Sequence, residues 1–171
     1  MAAGDRVGAS LRVDVPRELA FRVFTEEIDL WWRHGLKYRI GGRGRSVLHL
    51  EPRLGGRLFE TVQAEAGTDD AGAGAAPAIQ TGEIVEWSPP AGFVLRWRGV
   101  NYAPHEHTRV AVTFEAQGDE ATLVTVVHTG WASLPPDHPA RHGQPQDAFI
   151  ANTARWWGDL LAGLRRHVAE R

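Results

Sequence analysis

PQDAFIANTARWWGDLLAGLRRHV, residues 145–168, is the longest helix-compatible stretch in the chain, and its reading governs the rest. Phe149, Ile150, Thr153, Trp157, Leu160, Leu161, Leu164 and Val168 fall on one helical side, with Arg155, Asp159, Arg165 and Arg166 largely elsewhere. A stripe that wide needs a broad apolar partner. The preceding sequence supplies one in six short segments, 47–51, 57–63, 79–87, 93–98, 108–115 and 122–129. They alternate apolar and polar residues, and Gly55-Gly56, Pro89-Pro90-Ala91-Gly92 and Gly118-Asp119 punctuate them as antiparallel strands require. Residues 8–15 alternate too, with Leu11, Val13 and Val15 on one face, and Pro16 stands where a helix can begin. From Arg17, the positions Leu19, Ala20, Val23, Phe24, Ile28 and Trp31 keep helical spacing until Gly35, giving one helix or two short ones. Strand, helix, six strands and a long helix make an α+β chain. A twisted sheet facing one amphipathic helix predicts a helix-grip arrangement, a curved antiparallel sheet of about seven strands around the C-terminal helix.

With 171 residues, 43% hydrophobic and 23% charged, the composition predicts a single folded domain over residues 1–171 and excludes a wholly disordered chain. Residues 64–78, rich in Ala and Gly, have little to bury and are expected to form a flexible insertion. The absence of cysteine excludes disulfides, thiol nucleophiles and Cys-ligated zinc or iron–sulfur centres. A formal charge of -2 argues against non-specific nucleic-acid binding. No apolar run is long enough to read as a membrane span or a secretory leader, so neither membrane nor nucleic acid is an expected partner, and the expected location is the cytoplasm.

Several phrases carry a family resemblance: Val15-Pro16-Arg17-Glu18-Leu19-Ala20-Phe21, Phe24-Thr25-Glu26-Glu27-Ile28-Asp29-Leu30-Trp31-Trp32, and Glu51-Pro52-Arg53-Leu54-Gly55-Gly56-Arg57-Leu58-Phe59-Glu60. Gly82-Glu83-Ile84-Val85-Glu86-Trp87-Ser88-Pro89-Pro90, Leu95-Arg96-Trp97 and Val127-His128-Thr129-Gly130-Trp131 continue the pattern. In this order they resemble the START-like SRPBCC superfamily, in particular bacterial relatives of the C-terminal domain of the activator of heat-shock protein 90 ATPase. The resemblance runs from about Ala9 to Val168 without the insertion. It implies a helix-grip domain with an apolar cavity between sheet and long helix, a chaperone protein as one class of partner, and cyclase or dehydratase chemistry in other members. A shared fold does not identify what the cavity holds.

Seven tryptophans are many for this length. Trp87, Trp97 and Trp157 are expected between sheet and long helix, and Trp31, Trp32, Trp131 and Trp156 at the edge of the same space. An indole offers a flat apolar face and one N–H donor, so each either fills the core or lines a pocket. The expected ligand-binding residues are Trp87, Trp97, Val112, Phe114, Val126, His128, Phe149, Thr153 and Trp157, with Thr153 and His128 orienting a small hydrophobic or amphipathic molecule. His128 shares a strand face with Val124 and Val126, and Glu83 shares parity with Val85 and Trp87. These two are the candidate acid/base groups, if burial and neighbours tune them; otherwise both are satisfied structural groups. Arg96 and Arg98 are expected on the solvent face.

His105-Glu106-His107, His138 and His142 are metal-ligand types, but Pro104 and Pro139 interrupt the spacing, and no metal is expected. Arg33, Lys37, Arg39, Arg43 and Arg45 occur between Asp29 and Glu51 with no carboxylate, a basic loop that is either solvated or docks an acidic partner. Gly41-Gly42-Arg43-Gly44 matches no phosphate-binding motif, no serine sits in a nucleophile elbow, and no cofactor is implied. Three readings stand: non-catalytic binding of a small molecule, a co-chaperone-like module, and an enzyme using Glu83 or His128. The chain is expected to be a monomer or homodimer.

Overall fold

The computed structural model describes residues 5–41, 45–63 and 77–171. Residues 64–76 of the expected insertion and 42–44 of the basic loop lie outside the described residues. The elements run β1 (Arg6–Val13), α1 (Arg17–Glu26), α2 (Ile28–Trp31), β2 (Arg45–Leu50), β3 (Arg57–Gln63), β4 (Ala78–Ser88), β5 (Gly92–Trp97), β6 (Thr108–Ala116), β7 (Thr122–Thr129) and α3 (Gln146–Ala169), with two 3-10 turns at Trp131–Ser133 and Pro139–Arg141. The strands form one antiparallel sheet in the order β1-β7-β6-β5-β4-β3-β2. This is the helix-grip fold that the pattern predicts. The first apolar stripe is two short helices, not one, and β1 begins two residues earlier than its alternation suggests, so that Val7 and Val13 anchor its inner face.

α3 lies along β1 and meets α2. Trp157, Leu160, Leu161 and Leu164 on its inner side are almost fully buried. Gly163 allows that approach, because a Cβ there would stand 2.8 Å from the Trp31 carbonyl oxygen. α1 covers the opposite part of the sheet. Its Phe21 and Phe24 meet Phe93 of β5 and Phe114 of β6 with ring centroids 5.1–6.1 Å apart, mostly edge to face, which fills that part of the interior.

A bulge in β4 corrects one expectation. Ile84 pairs with Leu95 but Glu86 pairs with Val94, so Val85 is an extra residue and the side-chain alternation inverts across it. Ile84 and Trp87 therefore both face inward, while Glu83 and Glu86 face out and pair with Arg96 at 3.6 Å and Arg109 at 3.5 Å. Glu83, with 44% of its side chain exposed, is a surface carboxylate and not an interior acid.

Arg39 also departs from its expected place on a solvated loop. It is 3% exposed, and its guanidinium donates to Asp29 Oδ1 at 2.6 Å and to the carbonyl oxygens of Arg33, Trp32, Ser46 and Asp29. Asp29 in turn accepts from the Leu48 N–H at 2.9 Å. Burial opposes ionisation of Asp29, but the Leu48 amide and Arg39 outweigh it and hold the carboxyl below its ordinary range. Together they bolt the turn after α2 to the edge strand β2. No helix among the described residues is long and apolar enough to cross a membrane.

Candidate functional site

Past the ends of β5 and β7, the sheet and the first half of α3 diverge, and two connecting segments wall the gap. One is the β5–β6 loop, 98–107. The other, 130–145, returns from β7 to α3. Gly130 starts it with φ of +94°, a conformation that a side chain strains, and so turns Trp131 back over His128. Their ring centroids are 4.2 Å apart. Arg141 then fixes the segment from within. It is 7% exposed, donates to the carbonyl oxygens of Trp131 (2.8 Å), Pro135 (3.1 Å) and Leu134 (3.2 Å), and lies 5.4 Å from the Phe149 ring centroid.

The two walls are tied to each other. The Ala140 N–H donates to His138 Nδ1 at 3.0 Å, so a neutral His138 carries its proton on Nε2, which donates to Glu106 Oε1 at 2.8 Å. Glu106 also accepts from the Ala103 N–H at 2.6 Å. That amide and then His138 hold its carboxyl below the usual range. Two of the metal-type residues thus form a strap between loops. Among the described residues no group of three or more acidic or imidazole side chains is arranged to hold a metal ion.

The gap is a cleft of about 600 Å³. Trp97, His128, Trp131, Phe149 and Trp157 form its apolar floor, and Leu36, Asn152 and Arg155, all solvent-exposed, stand at its mouth. Five of the nine expected lining residues are brought together here: Trp97, His128, Phe149, Thr153 and Trp157. Four are not. Trp87 packs against Phe21 and Phe93, Phe114 against Phe21 and Phe24, and Val112 and Val126 are fully buried on β6 and β7. Phe21 and Phe24 of α1 occupy the space that Trp87 and Phe114 were expected to border.

The polar handles also differ from expectation. His128 is 2% exposed, and both ring nitrogens are engaged. Trp157 Nε1 is a donor only, so at 3.2 Å it fixes His128 Nδ1 as the acceptor. Nε2 then carries the proton and donates to Thr108 Oγ1 at 2.8 Å, while Tyr102 Oη lies 3.3 Å beyond on the same oxygen. Burial lowers the His128 pKa to about 3, far from the range of a base working at neutral pH, and pushes the Tyr102 phenol up to about 12. The Thr153 hydroxyl donates to the Phe149 carbonyl at 2.8 Å in its own helix. Neither His128 nor Thr153 has a free proton for a guest.

Sequence reasoning placed Trp131 and Trp156 near this space but missed Tyr102, Asn101, Gln144, Asn152, Arg155 and Lys37. All but Asn152 and Arg155 come from segments without periodicity. For Asn101, Tyr102 and Gln144 the available signal was positional, since turn-rich stretches that follow β5 and β7 emerge at one end of the sheet. Asn152 and Arg155 lie on the polar side of α3, where periodicity reads only solvent.

Comparison with known proteins agrees with this architecture. The family model described as "Activator of Hsp90 ATPase homolog 1-like protein" matches residues 14–168. An HSP90 activator from Plasmodium falciparum superposes with a TM-score of 0.63 at 16% identity, covering 96% of each chain. The Aha1 dimer from Colwellia psychrerythraea gives 0.59 at 12% identity over 95% of each chain. An anthrahydroquino-gamma-pyrone synthase, Txn09, gives 0.55 at 24% identity, covering 94% of this chain and 95% of its own. At these identities the likeness is one of fold. No curated protein matches the sequence significantly.

Proposed function

The chain belongs to the Activator of Hsp90 ATPase homolog 1-like family, and from that premise we propose that it binds a small amphipathic molecule in the cleft between β5, β7 and α3. The observation that carries this reading is the composition of the cleft floor. Trp97 and Trp156, both partly exposed, and behind them the buried Trp131, Phe149 and Trp157, line an opening of about 600 Å³, within the size range of small-molecule sites. Area removed from water there is worth about 25 cal/mol per Å² before the costs of ordering are subtracted.

The cleft favours binding over turnover. Both acid/base candidates are engaged elsewhere, Glu83 with Arg96 outside the sheet and His128 in the Trp157–His128–Thr108 chain. The test is native mass spectrometry of the purified protein, together with indole fluorescence titration against fatty acids and aromatic carboxylates. A non-covalent adduct that denaturation removes, or a saturable response abolished by Thr153→Phe in a folded protein, is expected. A chain free of adducts that responds to none of the panel would contradict the reading.

The family description favours a second reading, contact with a heat-shock protein 90. The basic loop is a poorer candidate surface than its sequence suggests, because Arg39 is buried against Asp29. ATPase rates of the bacterial chaperone with saturating protein decide it: stimulation supports a co-chaperone role, and an unchanged rate removes it.

A further inference from the structure

Resting on the cleft as the binding site, we infer that its ligand is an anionic amphiphile, an apolar ring-bearing body with one carboxylate that lies at the mouth against Arg155 and Lys37. The first observation is charge. The chain as a whole is slightly acidic, with 21 acidic against 19 basic residues. The cleft lining nonetheless holds Lys37 and Arg155 and not one aspartate or glutamate. Lys37 Nζ lies 3.7 Å from Asp159, a half-exposed pair whose carboxylate is not part of the lining. Arg155 has no carboxylate partner among the described residues; its guanidinium meets only Asn152 Oδ1, at 3.3 Å. It is the cation free to take a guest's charge in a paired geometry.

The second observation is the count of free donors. Three of the four indoles in the lining already donate their N–H groups: Trp131 to the His128 carbonyl at 3.2 Å, Trp157 to His128 Nδ1 at 3.2 Å and Trp156 to the Lys37 carbonyl at 2.7 Å. Trp97, partly buried at the centre of the lining, donates to none of the described residues. An indole nitrogen only donates, so what it lacks is an acceptor. With the protons of Thr153 and His128 committed inside the protein, the lining groups that can only donate are Trp97, Arg155 and Lys37, while the amides of Asn101, Gln144 and Asn152 offer both donors and acceptors. A guest with acceptors at its polar end and apolar area at the other meets the three groups that can only donate.

Three probes of one shape test this by isothermal titration calorimetry at low salt: 2-naphthoate, neutral 2-naphthalenemethanol and cationic 2-naphthylmethylammonium. The carboxylate is expected to bind about tenfold tighter than the alcohol, the equivalent of about 1.4 kcal/mol, with the ammonium weakest. Arg155→Gln, at an exposed position, should bring carboxylate and alcohol to within about twofold, and raised salt should do the same to the wild type. Equal affinity for carboxylate and alcohol in the wild-type protein overturns the anion inference and leaves the cleft reading standing. A preference that survives Arg155→Gln and Lys37→Gln combined also overturns it. No binding of any probe by a folded protein sinks both.

Discussion

At the α1 end of the interior, Phe21, Phe24, Phe93 and Phe114 interlock edge to face, and Trp87 closes the cluster against Phe21. At the far end, Trp97, Trp131, Phe149 and Trp157 are comparably aromatic and make similar edge contacts, yet they border a cleft of about 600 Å³. The two ends differ in what lies over them. α1 delivers two phenylalanines from one helical face, one turn apart, into the first region. The second lies between the sheet, the first half of α3 and loop segments held by Arg141 and the Glu106–His138 strap; Trp131 of the returning segment packs on His128 and Phe149, and the space beside it stays open. Aromatic content alone does not distinguish a core from a pocket; the covering element does.

The largest effect that would test this contrast is on stability. Phe24→Ala should cost about 3–5 kcal/mol, read as a shift in the chemical denaturation midpoint, because Phe24 is 3% exposed and packs on Trp31, Phe93 and Phe114. A loss below about 1 kcal/mol would mean that the α1 end is as loosely filled as the other. Acid sensitivity belongs to the far end. His128 is neutral when folded, with a pKa lowered to about 3 by burial, and ordinary, near 6.5, when unfolded. Protons therefore bind the unfolded chain first as pH falls. The stability contributed by this group is complete above about pH 6.5 and drains by up to about 1.4 kcal/mol per pH unit below it. Between pH 6.5 and the carboxylate range, wild type should lose stability faster than His128→Gln; parallel curves would refute the assignment.

The order of elements was legible because it rests on periodicity, which residues such as Leu160, Leu164 and Val124 obey. Which aromatics fill and which line was not. Trp87 and Trp97 have the same strand-like context, and only the bulge at Val85 and the path of α1 separate them. A bulge leaves no local sequence mark here, and the placement of α1 over Phe114 is a tertiary fact. Arg39 shows the same limit from the polar side, since a Gly- and Arg-rich run reads as solvated until Asp29 and the carbonyl oxygens converge on it.

Smaller effects sharpen the contrast. Gly163→Ala adds about 1 kcal/mol of helix propensity, but its Cβ would press on the Trp31 carbonyl at 2.8 Å, an overpacking cost of about 1–3 kcal/mol. A net loss in melting temperature is expected, and a gain would show that α2 and α3 do not meet so closely. Trp97→Phe should leave stability within about 1 kcal/mol and weaken 2-naphthoate several-fold in calorimetric titration, since it removes a free donor at a partly open site. Unchanged affinity would deny Trp97 a role in the cleft.

The central claim, an open tryptophan-lined end beside a closed phenylalanine-filled one, is tested most directly by following the seven indole N–H resonances while 2-naphthoate is titrated into isotope-labelled protein. Shifts concentrated on Trp97, Trp131 and Trp156, with Trp31 and Trp87 unmoved, are the expected result. Movement of Trp87 and Trp31 as large as that of Trp97, or no movement of any indole at saturating probe, would contradict it.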